Sequence, residues 1–269
     1  MTDLSPSRKQ YLRSLRRRTI FIQATRVLLL VGLLALWELA ARWNWVDPFI
    51  VSCPSRVMDT VLNLARSGTV WVHLSTSVWE TVVGFVLGTV FGTLVAVCLW
   101  WSQTLSRILE PYLVVLNALP KTALGPIFIV WMGAGTGSII AMTLAISLVV
   151  TILNMYVGFV STDPEKIRLM RTFGASRLQM LRLLIFPANY DTLFNTLRVN
   201  VGLSWVGVIM GEFLVSKAGL GYLIVYGSQV FNMDLVMASV LLLAVTTVVM
   251  YQGILWLERC LKKSLGVVV

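Results

Sequence analysis

Lys121 stands between Pro120 and Pro126 in an otherwise apolar run, LPKTALGPIFIVWMGAG. A cation at the centre of a bilayer costs about 2.5–3.5 kcal/mol on insertion scales, so its side chain must face a bundle interior or a wet cavity. The two prolines interrupt the helix beside it. A broken helix next to a cation can line an anion pathway. Other outlets for the charge are a backbone carbonyl, Glu212, or snorkelling to the interface. Asn154 and Asn200 also lie within apolar stretches and join Lys121 as candidate pathway residues. Asparagines in such stretches also bond helix to helix, a use open to Asn117 and Asn195 as well. Glu212 reads as structural, Arg198 as snorkelling, and Glu38 with Arg42 as an i, i+4 pair.

Other chemistries are poorly served. His73 is the only histidine and has no cluster of metal ligands or triad partners around it. Cys53, Cys98 and Cys260 are scattered, with no C-x-x-C spacing. No G-x-x-x-x-G-K-[ST] phosphate loop occurs, so the chain is expected to bind neither metal nor cofactor, and any ATP and magnesium must sit on a partner.

The elements that must position these residues follow from composition. Hydrophobic residues make up 57% of the chain and charged ones 13%, about half the share usual in a soluble protein. Apolar runs near 20 residues without strict alternation predict an all-α integral membrane protein with six spans. These cover residues 20–43, 78–101, 111–132, 138–160, 193–214 and 235–258. The first run is too long for a signal-peptide core and is expected to remain as a span. The net charge of +10 is not a nucleic-acid stripe. Its lysines and arginines gather in residues 1–19, at Arg107, between Lys166 and Arg182, and in residues 259–269. By the positive-inside rule those segments, and both termini, are cytoplasmic. Trp43, Trp45, Trp100, Trp101, Trp131 and Trp256 fall at span ends, as interfacial rings do.

In the outer segment, residues 44–77, PSRVMDTVLNLARSG carries Val57, Val61 and Leu64 on one face and is expected to lie along the membrane surface. Ser77 and Glu80 have capping-box spacing for the second span. Past the fifth span, Gly219, Gly221 and Gly227 read as breakers around a partly buried or re-entrant element.

The segment 161–190 interrupts the oily runs with a basic, helical pattern. Thr162 or Asp163 caps a helix, Pro164 occupies its first turn, and Glu165 favours the positive end of the dipole. Gly174 ends that helix. Ser176 and Gln179 restart it as a capping box, Leu178, Leu181 and Ile185 form an apolar face, and Pro187 closes it. With GASRLQMLRLLIFPA in place, this segment resembles the cytoplasmic loop of ABC importer permease subunits, E-A-A, three residues, G, nine residues, I-x-L-P. Gly174 and Pro187 hold the family spacing. The E-A-A triplet falls on Arg168, Leu169 and Met170, and Leu184 and Phe186 take the I and L positions. The likeness runs from the second span to the sixth. LPKTALGPIFIVWMGAG and GEFLVSKAGLGYLI are similar to the branch handling nitrate, sulfonates, taurine and bicarbonate.

That resemblance implies a bacterial inner-membrane machine of two permease subunits, here a homodimer, with two ABC ATPase subunits and an extracytoplasmic solute-binding protein. It implies a five-helix permease core over residues 78–258, and ATPase docking through Glu165, Arg168, Met170, Arg171, Phe173, Gly174, Ala175 and Ser176, with Pro187 shaping the return. Met170 and Phe173 would anchor and the arginines orient. A secondary active transporter is the alternative, but no internal repeat or carboxylate relay supports it. A membrane enzyme would need His73 to be essential.

Overall fold

The computed structural model describes residues 6–264, with side chains from residue 17 to residue 263. The first five residues of the basic N-terminal segment and the last five of the C-terminal one lie outside the described residues. Every regular element described is helical. In chain order these are α1 (Pro6–Arg42), α2 (Pro48–Val51), α3 (Pro54–Arg66), α4 (Thr69–Trp101), α5 (Gln103–Ala118), α6 (Gly125–Met132) and α7 (Thr136–Val160). Then come α8 (Pro164–Thr172), α9 (Arg177–Met180), a π-helical turn (Leu181–Ile185), α10 (Phe186–Ala188), α11 (Tyr190–Val215), α12 (Leu220–Gln229) and α13 (Met233–Ser264).

Among the described residues five helices, α1, α4, α7, α11 and α13, are long and apolar enough to cross a bilayer. The expected third span is a pair, α5 and α6, joined through a 3-10 turn at Lys121–Leu124 and bent by 91°. Pro120 and Pro126 account for the break, because proline withholds an N–H from the helix and restricts the residue before it.

The core is the contact of α4 with α7, built on residue size. Gly84, Gly88 and Gly92 recur every four residues on α4 and face Thr143, Ser147 and Thr151, spaced the same way on α7. A methyl group at Gly88 would lie 2.1 Å from Ser147 Oγ, and one at Gly84 or Gly92 would lie 2.5 Å from Thr143 or Thr151. The three hydroxyls are satisfied along their own helix, donating to the carbonyls of Ile139, Thr143 and Ser147 at 3.0, 2.9 and 2.8 Å. The two backbones can therefore touch without stranding these three hydroxyls, which is how helices associate where lipid removes the hydrophobic drive. Gly207 brings α11 against the other flank of Thr143. Asn200 locks the trio, its Nδ2 donating to Thr151 Oγ1 at 2.7 Å and Thr89 Oγ1 at 3.4 Å.

Several expectations are corrected at the end holding the α11–α12 turn. The second span begins at Thr69, so Ser77 lies inside α4 and cannot cap it. It caps another helix instead. Ser77 Oγ accepts from Leu220 N at 2.7 Å and donates to Glu212 Oε1 at 2.5 Å. Glu212 Oε2 accepts from Gly221 N at 2.5 Å, and His73 Nδ1 accepts from Gly219 N at 3.0 Å. Three successive N–H groups at the start of α12 thus find partners on α4 and α11, groups a helix cannot satisfy internally. Of the expected breakers only Gly219, at φ +120°, lies at a helix boundary. Gly221 and Gly227 sit inside α12 and make room for Glu212 and Val236.

The surface helix α3 packs on α13 and α1 as well as its neighbours, with Val57 buried and Arg56 Nη2 on Asp234 Oδ2 at 2.7 Å. The apolar stretch of α1 buries none of its residues in the bundle. Near its end Glu38 accepts from Ser55 N and Oγ and from Arg42 Nε, the last at 2.8 Å.

Candidate functional site

The 161–190 element is built as a pinned arch. Asp163, not Thr162, caps α8, accepting from Glu165 N at 2.9 Å with Pro164 following. At its far end, Ala175 N donates to Met170 O at 3.0 Å and Gly174 N to Arg171 O at 3.0 Å, the two bonds of a Schellman ending. Gly174 has φ +74°, with open space where a Cβ would go, so conformation alone selects glycine there. Ser176 and Gln179 form a full capping box for α9. Arg177 Nη1 reaches Trp101 O at 2.8 Å and fixes the arch to the end of α4. Ile167, Leu181 and Ile185 pack with Ala96, Met155 and Phe159, rooting both limbs in the core.

What remains outside is the crest. Phe173 is 77% exposed and Leu169, one turn earlier, is 56% exposed. Arg168, Arg171 and Glu165 flank them, also exposed. Met170, expected as an anchor, is half-buried, and Leu169 holds the outward position in its place. The i, i+4 spacing of Leu169 and Phe173 is the signal that finds it. Gly174, Ala175 and Ser176 follow directly on the crest. Pro187 does not join them. It lies inside α10, after a π-helical turn, so it does not itself close the helix; the helical run breaks two residues later at Asn189. Leu178, expected on the buried face of the second helix, is exposed, and Met180 is buried instead.

Above the arch, α7 and α11 border a groove. Its upper part, about 520 Å³, is lined by Leu153, Asn154, Val157, Gly158, Asn195 and Thr196 among others. A lower part of about 350 Å³ continues past Ser161 and Thr192 to Asp163, Lys166 and Asn189. The groove therefore ends at the cap of α8. Of the candidate pathway residues Asn154 lines it. Asn200 does not: it is fully buried and spends its amide hydrogens on α4 and α7. Lys121 lies at the bend between α5 and α6, where Nζ donates to Asn117 O at 2.9 Å, and it does not pair with Glu212. Arg198 is no free snorkeller either. It bonds Glu258, which pairs with Lys262 at 3.0 Å, and Lys262 pairs with Asp191 at 2.7 Å. This chain of charges ties the base of α11 to the end of α13.

The chain as a whole is similar to several known proteins. A probable ABC transporter permease protein of Haemophilus influenzae is 30% identical over 237 residues, covering 88% of this chain and 96% of that one. The taurine transport system permease protein of Escherichia coli is 26% identical, covering 86% of each. Among solved structures, an inward-facing methionine ABC transporter superposes with a TM-score of 0.61 at 19% identity, over 69% of this chain and 92% of that one. Residues 88–266 match the model of the binding-protein-dependent transport system inner membrane component. The chain belongs to that family and is an ABC importer permease subunit.

Proposed function

We propose that this subunit spans a bacterial inner membrane with both termini in the cytoplasm, pairs with a second copy of itself, and imports a small oxyanion such as a sulfonate. A permease subunit is not itself an enzyme, so the work comes from ABC ATPases docked beneath it, and a solute-binding protein delivers the cargo from outside. The observation that carries the docking reading is the crest: Leu169 and Phe173 stand in solvent on a helix capped at both ends and anchored at its base. Exposed apolar residues rimmed by charge on a rigid mount are what a partner groove engages. Phe173→Asp is expected to leave membrane insertion unchanged and to cut uptake at least tenfold, with the ATPase lost on purification. Normal uptake by that variant would overturn the assignment.

The taurine permease relative supports the oxyanion reading, as does the cation at the α5–α6 bend. Lys121 uses one of its three protons on the Asn117 carbonyl, leaving two for an anion. Asn154 would add a neutral amide from the groove between α7 and α11. With taurine as the probe, Lys121→Met is expected to raise the concentration for half-maximal uptake several-fold with assembly intact. An unchanged value counts against a pathway role.

A further inference from the structure

Pro187 has no N–H to donate, and the regular i−4 bonding is interrupted at Asn189 before α11 begins at Tyr190. Asn189 N donates to Phe186 O at 3.1 Å, so the Ile185 carbonyl, four residues before Asn189, loses its usual partner. Ile185 is fully buried, and an unpaired carbonyl there would be costly. The Asn189 side chain fills the gap, with Nδ2 donating to Ile185 O at 2.9 Å. The second proton on the same nitrogen goes to Thr162 Oγ1, also at 2.9 Å. Thr162 in turn donates to Gly158 O on α7 at 3.4 Å. Both side chains are buried, and Gly158 has no side chain because Asn189 Oδ1 sits only 2.7 Å from where its Cβ would be. One amide group therefore joins the residue where the arch leaves α7 to the residue where it enters α11, directly below the groove.

We propose that Asn189, acting through Thr162, is a positioning residue that latches the two feet of the 161–190 arch, so that α8 turns as one body with α7 and α11. The inference rests on the docking reading above and deepens it. A load applied at the crest reaches the groove without being lost in a splayed loop, because the two feet cannot separate.

The test uses this chain, with its three cysteines replaced by serine, assembled with its ATPase subunits in nanodiscs and diluted with an excess of unlabelled copies, so that each labelled assembly carries one copy spin-labelled at Thr172 on α8 and Val199 on α11. Distance distributions are measured without nucleotide and after trapping with ATP and vanadate. The unmodified latch is expected to give one narrow distance in each state. Thr162→Val keeps the shape and removes the acceptor, and Asn189→Leu removes both donors. Each is expected to at least double the width of the distribution in the trapped state. Thr162→Ser keeps the hydroxyl and is expected to restore the narrow one, a rescue that loss of packing alone would not show. Distributions as narrow in Thr162→Val and Asn189→Leu as in the parent would overturn the latch. Co-purification of the ATPase with Phe173→Asp is scored in parallel. If Phe173→Asp releases the ATPase while the latch variants stay narrow, only the latch falls. If the ATPase is retained, the docking reading falls and the latch with it.

Discussion

At Gly88 there is less room than a methyl group requires, and the obstacle is a hydroxyl already committed to its own helix. Gly88→Ala must therefore push α4 and α7 apart, at about 1–3 kcal/mol for overpacking. Gly88→Val must push them farther. The expected outcome is a lowered thermal midpoint in detergent for alanine and failure to recover folded protein for valine, read by fluorescence-detected gel filtration. The four-residue spacing of the glycines is plain in the sequence, but their partners are not. Thr143, Ser147 and Thr151 lie on a helix with the α5–α6 pair in between, and no local pattern says which helix faces which. Asn200 shows the same limit. Its presence in an apolar run marks it as bonded to something, whereas the choice between a pathway and two neighbouring helices depends on packing.

Helices, caps and breaks were legible to the extent that their causes are local. The cap at Asp163, the left-handed Gly174 and the Ser176–Gln179 box each depend on residues within a few positions, and each stands where the spacing places it. Ser77 was misplaced for the opposite reason: its partners Leu220 and Glu212 are more than a hundred residues away. The ion chain Arg198–Glu258–Lys262–Asp191 is likewise a property of two helices together, since positive-inside reasoning assigns the arginine to solvent. Its shared member is Glu258, which holds two cations at once. Glu258→Gln leaves Arg198 without its carboxylate and Lys262 with Asp191 alone. The thermal midpoint should fall, and limited proteolysis should cut first at the end of α13. An unchanged digestion pattern would show that the apolar faces of α11 and α13 hold that end alone.

At the scale of the molecule, the core of α4, α7 and α11 and the outlying α1 are held by different means. The first is closed by backbone contact and buried hydrogen bonds, while the apolar stretch of α1 buries nothing against it. Replacing residues 20–34 with an unrelated leucine–alanine span of equal length should keep the core folded. Its protease-resistant fragment and its melting behaviour should match the parent, and loss of both would mean that side chains of α1 are needed for the core. The glycine face also carries a consequence for how the chain is made. α4 leaves the ribosome with Gly84, Gly88 and Gly92 bare and with Ser77 and Glu80 already committed to burial. Its counterpart is finished only at Val160, roughly 60 residues later, several seconds at a synthesis rate of about 5–20 residues per second. During that interval the helix sits in the membrane as a half-finished joint. Until α7 arrives, the glycine face of α4 has only lipid or an earlier helix to lie against.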